Sequence, residues 1–240
     1  MQIDLNSDMG ESFGAWRIGA DEELLSVVSS ANIACGMHAG DPSVMRATVR
    51  AAKRAGVSVG AHPGFPDLAG FGRRDMRMSP REIEDAVIFQ IAALAGVAAV
   101  EGVALAHVKP HGALYNMAVK DPAMADAIAA AIAAVDRALV MVGLPDSAMH
   151  RAAEKGGLPF AAEGFADRAY EPDGTLVPRS KPGALITDPQ AAAGAALRLV
   201  REGRVKTICI HSDTPDAGRI GAAVRRTLDQ EGVKIAGLRG

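Results

Sequence analysis

Side chains that can hold a metal ion or move a proton follow the apolar segments of this sequence at intervals. The stretch 30–42, SANIACGMHAGDP, ends an apolar run in Cys-Gly and then places a histidine and an aspartate in a glycine-hinged loop. Later apolar runs are followed by AHPG, HVKPHG, EGFADR and IHSD. Histidine and carboxylate groups are common general bases and ligands of divalent metals. The pattern indicates one polar site assembled from several segments.

The candidate residues are grouped by the apolar run that they follow. They are Asp4, Asn6, Asp8 and Glu11; Asn32 and His38; His62 and Asp67; Lys109, His111, Tyr115 and Asn116; Glu163, Asp167 and Arg168; and His211 and Asp213. Taken alone, such a residue is more often a turn or capping residue, and Asp41, before Pro42, is predicted to cap a helix. Five of the six histidines, all but His150, lie in or beside these positions. Their coincidence favours a functional site.

Two kinds of chemistry fit these residue types. Asp8 and His38, with His62 or His111, supply the ligands that Zn²⁺ takes, and the ion would activate a water molecule. Without a metal, a histidine or carboxylate could act as the base while a cation such as Lys109 stabilises an oxyanion. The sequence contains neither an HExxH motif nor the GxxxxGK[ST] phosphate loop of many ATP sites. Both kinds of chemistry therefore stay open.

The segments that must position these residues predict an α/β fold. Short apolar runs alternate with longer helical patterns, which indicates a parallel sheet covered by helices, either open or closed into a barrel. The predicted strands are 3–5, 30–35, 57–61, 104–108, 138–142, 160–163 and 207–210, and the predicted helices are 21–28, 42–55, 80–100, 122–134, 147–155, 189–201 and 215–230. In such folds the carboxyl ends of the strands meet on the face that holds the active site.

Five helix starts are marked by a capping residue directly before proline. Proline suits the first helical turn, and the preceding side chain can accept a backbone N–H. The five pairs begin at Asp41, Ser79, Asp121, Asp188 and Thr214, and Ser79 with Glu82 also matches a capping box. The longest irregular segment, 166–182, is predicted to be a loop over one face.

The composition narrows the class of protein. With 240 residues and 49% hydrophobic content, the chain predicts a single domain, 1–240. Its 26 basic and 28 acidic residues form no basic cluster, which argues against nucleic-acid or membrane partners. Cys35 and Cys209 lie in apolar runs, and the N-terminus lacks the basic and apolar regions of a signal peptide, so a cytoplasmic location is expected. Segment 86–100 is too short for a membrane span and is interpreted as a buried helix.

Seven motifs occur in a consistent order between residues 4 and 217. They are DLNSDMGESFG, SANIACGMHAGDP, GAHPGFPDLAGFGRR, HVKPHGALYN, EGFADRAY, GTLVPR and HSDTPDA. Together they resemble the LamB/YcsF family, the family of the A subunit of the ATP-dependent bacterial 5-oxoprolinase. The resemblance implies a seven-stranded, TIM-like (β/α) barrel of the glycoside hydrolase/deacetylase type. It also implies opening of the lactam of 5-oxo-L-proline to L-glutamate, with ATP as co-substrate and two partner subunits, B and C.

Roles for the candidate residues follow from this resemblance. We expect catalytic roles for Asp8, His38, His62, Lys109 and His111, and substrate-binding roles for Asn6, Glu11, Asn32, Glu163, Asp167, Arg168, His211 and Asp213. A divalent metal, if one is bound, would use Asp8, His38 and His62. We expect the partner subunits to activate the lactam, and this chain to hydrolyse it, with Lys109 and Arg168 holding a carboxylate or phosphate.

Two positions depart from the family pattern. Ser7 stands in the usual NCD motif and Ser212 in the usual HGD motif. The first argues against an obligatory cysteine nucleophile, and the second predicts crowding where glycine tolerates a positive φ. Two other functions stay open: a metal-dependent deacetylase or amidase that acts alone, and a non-catalytic subunit that presents a ligand.

Overall fold

The computed structural model describes residues 1–238 and contains a closed barrel of seven parallel strands. The strands are β1 (Gln2–Met9), β2 (Ser30–Ala34), β3 (Ser58–His62), β4 (Leu105–Val108), β5 (Val140–Gly143), β6 (Phe160–Phe165) and β7 (Thr207–Cys209). Neighbours in the chain pair in order, and β1 closes the barrel by pairing with both β2 and β7. The predicted barrel is confirmed. A short strand that was not predicted, β8 (Lys234–Ile235), pairs with the first residues of β1.

Helices connect the strands as the alternation predicts. They are α1 (Asp21–Leu25), α2 (Pro42–Ala55), α3 (Pro80–Val100), α4 (Gly112–Ala118), α5 (Pro122–Val135), α6 (Ala148–Gly156), α7 (Pro189–Glu202) and α8 (Ala217–Gln230). The short α4 was not predicted, because its seven residues follow directly on the polar motif after β4. α1 ends three residues before the predicted bound.

Four of the five predicted proline-marked helix starts are confirmed. Asp41, Ser79, Asp121 and Asp188 each accept a backbone N–H in the first turn of the following helix. The prediction for Thr214 is wrong. α8 begins at Ala217, after Asp216 in the left-handed region (φ 59°), and the Thr214 hydroxyl donates to Asp167 instead (2.6 Å).

β1 is longer than predicted because its polar residues face the barrel interior. Leu5 and Met9 are fully buried in the hydrophobic core that the strands share with the surrounding helices. The alternate residues Asp4, Asn6 and Asp8 are also buried, and they bond to side chains of β2 and β6. Successive side chains of a strand point to opposite faces, so this alternation interrupts the apolar run without ending the strand.

The interpretation of segment 86–100 as a buried helix holds for only one face of α3. Ile83, Val87, Ile91 and Leu94 are buried, whereas the Phe89 side chain is 59% exposed. α3 is the one helix within residues 1–238 that is long and apolar enough to cross a membrane, a test that core helices of soluble proteins also pass. Its apolar composition reflects packing against the barrel and α5.

Candidate active site and metal-ligand cluster

The carboxyl ends of the strands open into a cavity of about 720 Å³. Among the predicted site residues, those that line it are Asp8, Glu11, His62, Lys109, His111, Arg168, His211 and Asp213. The other five, Asn6, Asn32, His38, Glu163 and Asp167, are buried and contact the lining residues. Tyr115 and Asn116, on α4, also line the cavity. The structure thus brings the predicted residues into one region.

A buried hydrogen-bond network fills the barrel lumen below the cavity. Asn6 donates to Glu163 (3.0 Å) and to Thr207 (2.7 Å), and its carbonyl oxygen accepts from Asn32 (2.7 Å). Asn32 also donates to Asp8 (2.8 Å) and contacts a ring nitrogen of His107 (2.7 Å). Buried polar groups with their partners in place rigidify a core. The network therefore fixes the carboxylate of Asp8 at the floor of the cavity.

Lys109 is the charged centre of this floor. Its ammonium lies 3.0 Å from Asp8 Oδ1, 2.8 Å from Glu163 Oε1 and 3.0 Å from Cys209 Sγ. Burial opposes the charge, but Asp8, Cys209 and Glu163 outweigh it and raise the pKa of Lys109 well above its usual value. Burial would raise the pKa of Asp8, yet His62 and Lys109 hold it well below its usual range. This buried pair is therefore ionised.

Three histidines and Glu11 converge at the edge of the cavity. His62 donates its Nδ1 proton to the Lys109 carbonyl (2.7 Å), and His111 donates its Nε2 proton to the Phe71 carbonyl (2.8 Å), because a carbonyl oxygen can only accept. The other nitrogens of these rings, His62 Nε2 and His111 Nδ1, then face each other at 3.0 Å. Two lone pairs at this distance require a proton or a metal ion between them.

The separations in this cluster match those of metal ligands. Glu11 Oε1 lies 3.2 Å from His111 Nδ1, 3.5 Å from His38 Nε2 and 3.9 Å from His62 Nε2. Ligands about 2.0–2.1 Å from a tetrahedral Zn²⁺ lie roughly 3.3 Å from one another. Glu11 Oε1 and both ring nitrogens of His38 are buried without a hydrogen-bond partner in residues 1–238. These four residues form a group that could hold a divalent metal, and Asp8 of the expected set also lies close, with Oδ2 3.5 Å from His62 Nε2.

The loop after β3 holds this cluster in place. The rings of His38 and His111 stack at 3.8 Å, and Gly72 packs against both of them. A Cβ atom at Gly72 would lie 2.8 Å from His38 Cβ and 2.8 Å from His111 Cδ2, and its φ of +61° favours glycine. The same turn presents the Phe71 carbonyl to His111. Hydrogen bonds of this kind orient histidine ligands in metal sites.

Burial keeps two of the three rings neutral. Burial and the neighbouring His111 lower the pKa of His38 to about 3, and burial also lowers the pKa of His111. Burial disfavours the charged form of His62 as well, but Asp8 raises its pKa. Although burial opposes it, the neighbouring rings of His111 and His38 hold the pKa of Glu11 well below its usual range. His38 and His111 are therefore neutral imidazoles and Glu11 is an ionised carboxylate, the protonation states that metals bind.

His211 lies apart from the three clustered histidines, on the opposite wall of the cavity, where the carboxylate of Asp167 holds it. Asp167 accepts from His211 Nδ1 (2.9 Å), the His211 backbone N–H (3.1 Å) and the Thr214 hydroxyl (2.6 Å). Burial raises the pKa of Asp167, but His211 outweighs it and the net shift is downward. A carboxylate on Nδ1 leaves Nε2 of the imidazole as the nitrogen available for proton transfer, as in other His-Asp pairs.

Two arginines at the cavity were not among the predicted site residues. Arg73 lies 2.5 Å from Asp213 Oδ2, and Arg179 lies 3.3 Å from Asp213 Oδ1. They come from the loops after β3 and β6, and GFGRR and GTLVPR are the sequence motifs that contain them. From the sequence, arginines in a glycine- and proline-rich loop are expected to be exposed to solvent. Only the structure, in which the two loops meet, shows that Arg73 and Arg179 lie at the cavity.

The remaining predicted residues have local roles. Asp67 binds Arg74 and accepts the Gly70 N–H, which stabilises the loop after β3. Ser212 does not have a positive φ, so its backbone is not strained at this position. Its side chain packs instead against Gly19, where a Cβ atom would lie 2.7 Å from the serine oxygen. Cys35 and Cys209 are free and buried, as the sequence predicts.

Comparisons with known proteins agree with the sequence motifs. The model of the LamB/YcsF family matches residues 3–240. The A subunit of 5-oxoprolinase from Methylococcus capsulatus is 53% identical, with 99% of this chain and 96% of that protein covered. The crystal structure of a lactam utilization protein from Thermus thermophilus has a TM-score of 0.93 and 49% identity, covering 98% of this chain and 99% of that one. A family 4 carbohydrate esterase from Streptomyces lividans shares the fold, with a TM-score of 0.53 and 14% identity over 100% and 93% of the chains.

Proposed function

Because the chain belongs to the LamB/YcsF family, we propose that it acts as the A subunit of a 5-oxoprolinase, which opens the lactam of 5-oxo-L-proline to L-glutamate coupled to ATP hydrolysis. Relatives about half identical over nearly their whole length carry that name, and the match spans every loop of the site. The observation that carries the chemical part of the proposal is the convergence of Glu11, His38, His62 and His111 beside a cavity.

We assign these four residues to a divalent metal site. Such an ion would supply Lewis-acid chemistry to water or to the lactam carbonyl, which would take a coordination position beyond the four protein ligands. The donor set of three imidazoles and one carboxylate suits Zn²⁺. His62 and His111 are oriented for this task by the carbonyls of Lys109 and Phe71.

Asp8 and His211 are the proposed proton carriers. Hydrolysis of the lactam joins a water oxygen to the carbonyl carbon and breaks the ring C–N bond. Asp8 is ionised and reaches the cavity, so it accepts the proton that the water loses. His211, oriented by Asp167, supplies a proton to the departing nitrogen. Lys109 keeps Asp8 ionised.

The partners and ATP complete the proposal. We propose that subunits B and C activate the lactam with ATP, since an unstrained amide is a poor electrophile and this sequence has no GxxxxGK[ST] loop. We place the complex in the cytoplasm, where free thiols such as Cys35 and Cys209 are maintained. We also propose that residues 1–240 form a single domain.

The experiment measures glutamate release from 5-oxo-L-proline and ATP with the purified chain alone, with subunits B and C alone, and with the mixture. We expect release only in the mixture. His38→Ala and Lys109→Ala should abolish release while the complex still assembles, as checked by size-exclusion chromatography. His150→Ala, on α6 away from the cavity, is the matched control and should keep full activity. Retained turnover in His38→Ala would refute the site assignment.

Metal analysis separates this proposal from its alternative. The histidine and glutamate cluster also suits an amidase or deacetylase that acts alone. We expect about one metal ion per chain after loading with Zn²⁺, and loss of that ion in His38→Ala, measured by plasma mass spectrometry. Amide hydrolysis by the metal-loaded chain without ATP or partners would favour the alternative.

A further inference from the structure

We propose that Arg73 and Arg179 form a clamp for the carboxylate of the substrate, so that this cavity selects a cyclic amide that carries a carboxylate. The inference rests on the proposed function and adds the residues that set its substrate class. The clamp joins the loop after β3 to the loop after β6, and both arginines line the cavity that contains Glu11 and His111.

The position of Asp213 shows that the two guanidinium groups can share one carboxylate. Arg73 Nη2 lies 2.5 Å from Asp213 Oδ2, while Arg179 contacts both oxygens of Asp213, at 3.3 and 3.4 Å. The side chains of Arg73 and Arg179 are only 36% and 24% exposed. Arginine recognises carboxylates through paired N–H donors, and it does so more strongly where water is partly excluded.

The charge balance near the clamp leaves room for another anion. Arg168 is buried close to the clamp, and the residues 1–238 place no carboxylate in an ion pair with it. Burial, together with the charges of Arg179 and Arg73, lowers the pKa of Arg168 to about 10. Three guanidinium groups therefore lie near two carboxylates of the cavity lining, those of Asp213 and Asp75, while Asp167 is engaged by His211. A substrate carboxylate would reduce this excess of positive charge.

Arg168 acts on the clamp through the backbone. Its guanidinium donates to the carbonyls of Val177 (2.6 Å) and Ala184 (3.3 Å), on either side of Arg179. These bonds hold the segment that carries Arg179 over the cavity. Arg168 is therefore a positioning residue in this proposal.

The other cations of the cavity are already paired. Lys109 lies within 3.0 Å of both Asp8 and Glu163, so two carboxylates surround its single charge. Lys120 pairs with Asp173 at 3.1 Å. A third anion beside Lys109 would be repelled, which leaves the arginines as the receptor for the substrate carboxylate.

The test compares 5-oxo-L-proline with its uncharged carboxamide. Binding of both to the isolated, metal-loaded chain is measured by titration calorimetry, and turnover of both is measured with subunits B and C. We expect the wild type to prefer the acid. Arg179→Gln and Arg73→Gln should weaken binding of the acid and raise its KM by about ten- to hundredfold, with kcat and carboxamide binding little changed.

Two controls make the result interpretable. Arg201→Gln removes an arginine that pairs with Glu231 far from the cavity, and it should change neither ligand's affinity. Arg179→Lys keeps the charge and should restore part of the preference, while circular dichroism verifies the fold of each variant.

Each outcome decides one proposal. Equal binding of acid and carboxamide by the wild type, no binding of either, or an unchanged preference in both glutamine variants overturns the clamp. Selective binding of the acid that is lost in the variants, without glutamate release in any mixture, supports the clamp and overturns the proposed function.

Discussion

Gly72→Ala is expected to destabilise the protein through the histidine cluster. At a φ of +61° an alanine costs about 1 kcal/mol relative to glycine. The added methyl group would also lie 2.8 Å from His38 Cβ and 2.8 Å from a ring carbon of His111. Both rings are buried and stacked, so they cannot move away freely, and overpacking of this kind costs about 1–3 kcal/mol. We expect a total loss of about 2–4 kcal/mol.

Gly203→Ala is the matched control for this variant. Gly203 ends α7 with a φ of +69°, and nothing lies within 4 Å of the position that a Cβ atom would take there. It therefore carries the backbone cost of about 1 kcal/mol without the steric contacts. Urea unfolding measures the free energy of unfolding of both variants, and Zn²⁺ content after loading measures the state of the cluster.

The reasoning predicts a difference between the two glycine variants in both measurements. Gly72→Ala should lose more stability than Gly203→Ala and should also bind less Zn²⁺, because the displaced rings carry two of the four proposed ligands. Equal losses of stability would show that the contacts at Gly72 relax without cost. Full Zn²⁺ content in Gly72→Ala would show that the stacking of His38 on His111 does not position the ligands.

Three further predictions concern burial and capping. Lys109→Met should lower the free energy of unfolding by about 3–5 kcal/mol in urea unfolding, because Asp8 and Glu163 stay buried without their cation. Its control, Lys120→Met, removes an exposed ion pair and should cost less than about 1 kcal/mol. Ser79→Ala should cost about 1 kcal/mol in the same measurement, since the Glu82 backbone N–H loses the Ser79 hydroxyl as its acceptor, and no measurable change would contradict this. Burial raises the pKa of Cys35 to about 12 and the pKa of Cys209 well above its usual value. A disulfide reagent such as DTNB should therefore label neither thiol at about pH 8 until urea unfolds the chain.

The fold was predictable because its signals are local. Apolar runs mark the strands, and residues such as Asp41 and Ser79 mark helix starts through bonds to the next few residues. Errors arose where tertiary contacts override local preference. Thr214 precedes proline as a cap should, but its hydroxyl binds Asp167 on another loop. The polar positions of β1 look like the end of a strand because their partners, such as Asn32 and Glu163, lie on other strands far away in the sequence.

The residue types of the site were predictable, but their pairing was not. Parallel strands bring their carboxyl ends together, so the histidines after β2, β3 and β4 had to meet. Whether Asp8 or Glu11 joins them depends on the path of the chain after β1. Arg179 could not be placed from sequence, because its position depends on the bonds from Arg168 to the loop backbone.

The two carboxylates at the end of β1 differ because the chain turns between them. Asp8 lies within the strand, so its side chain points into the lumen, where Asn32 and Lys109 bind it. Gly10, with a φ of +67°, turns the chain so that Glu11 reaches the histidines instead. Two carboxylates three residues apart thus acquire two environments: Asp8 lies between the Lys109 ammonium and the His62 ring, and Glu11 lies among three imidazoles. This division follows from strand geometry and a single turn, and under the proposed function it would let Asp8 accept a proton while Glu11 holds a metal.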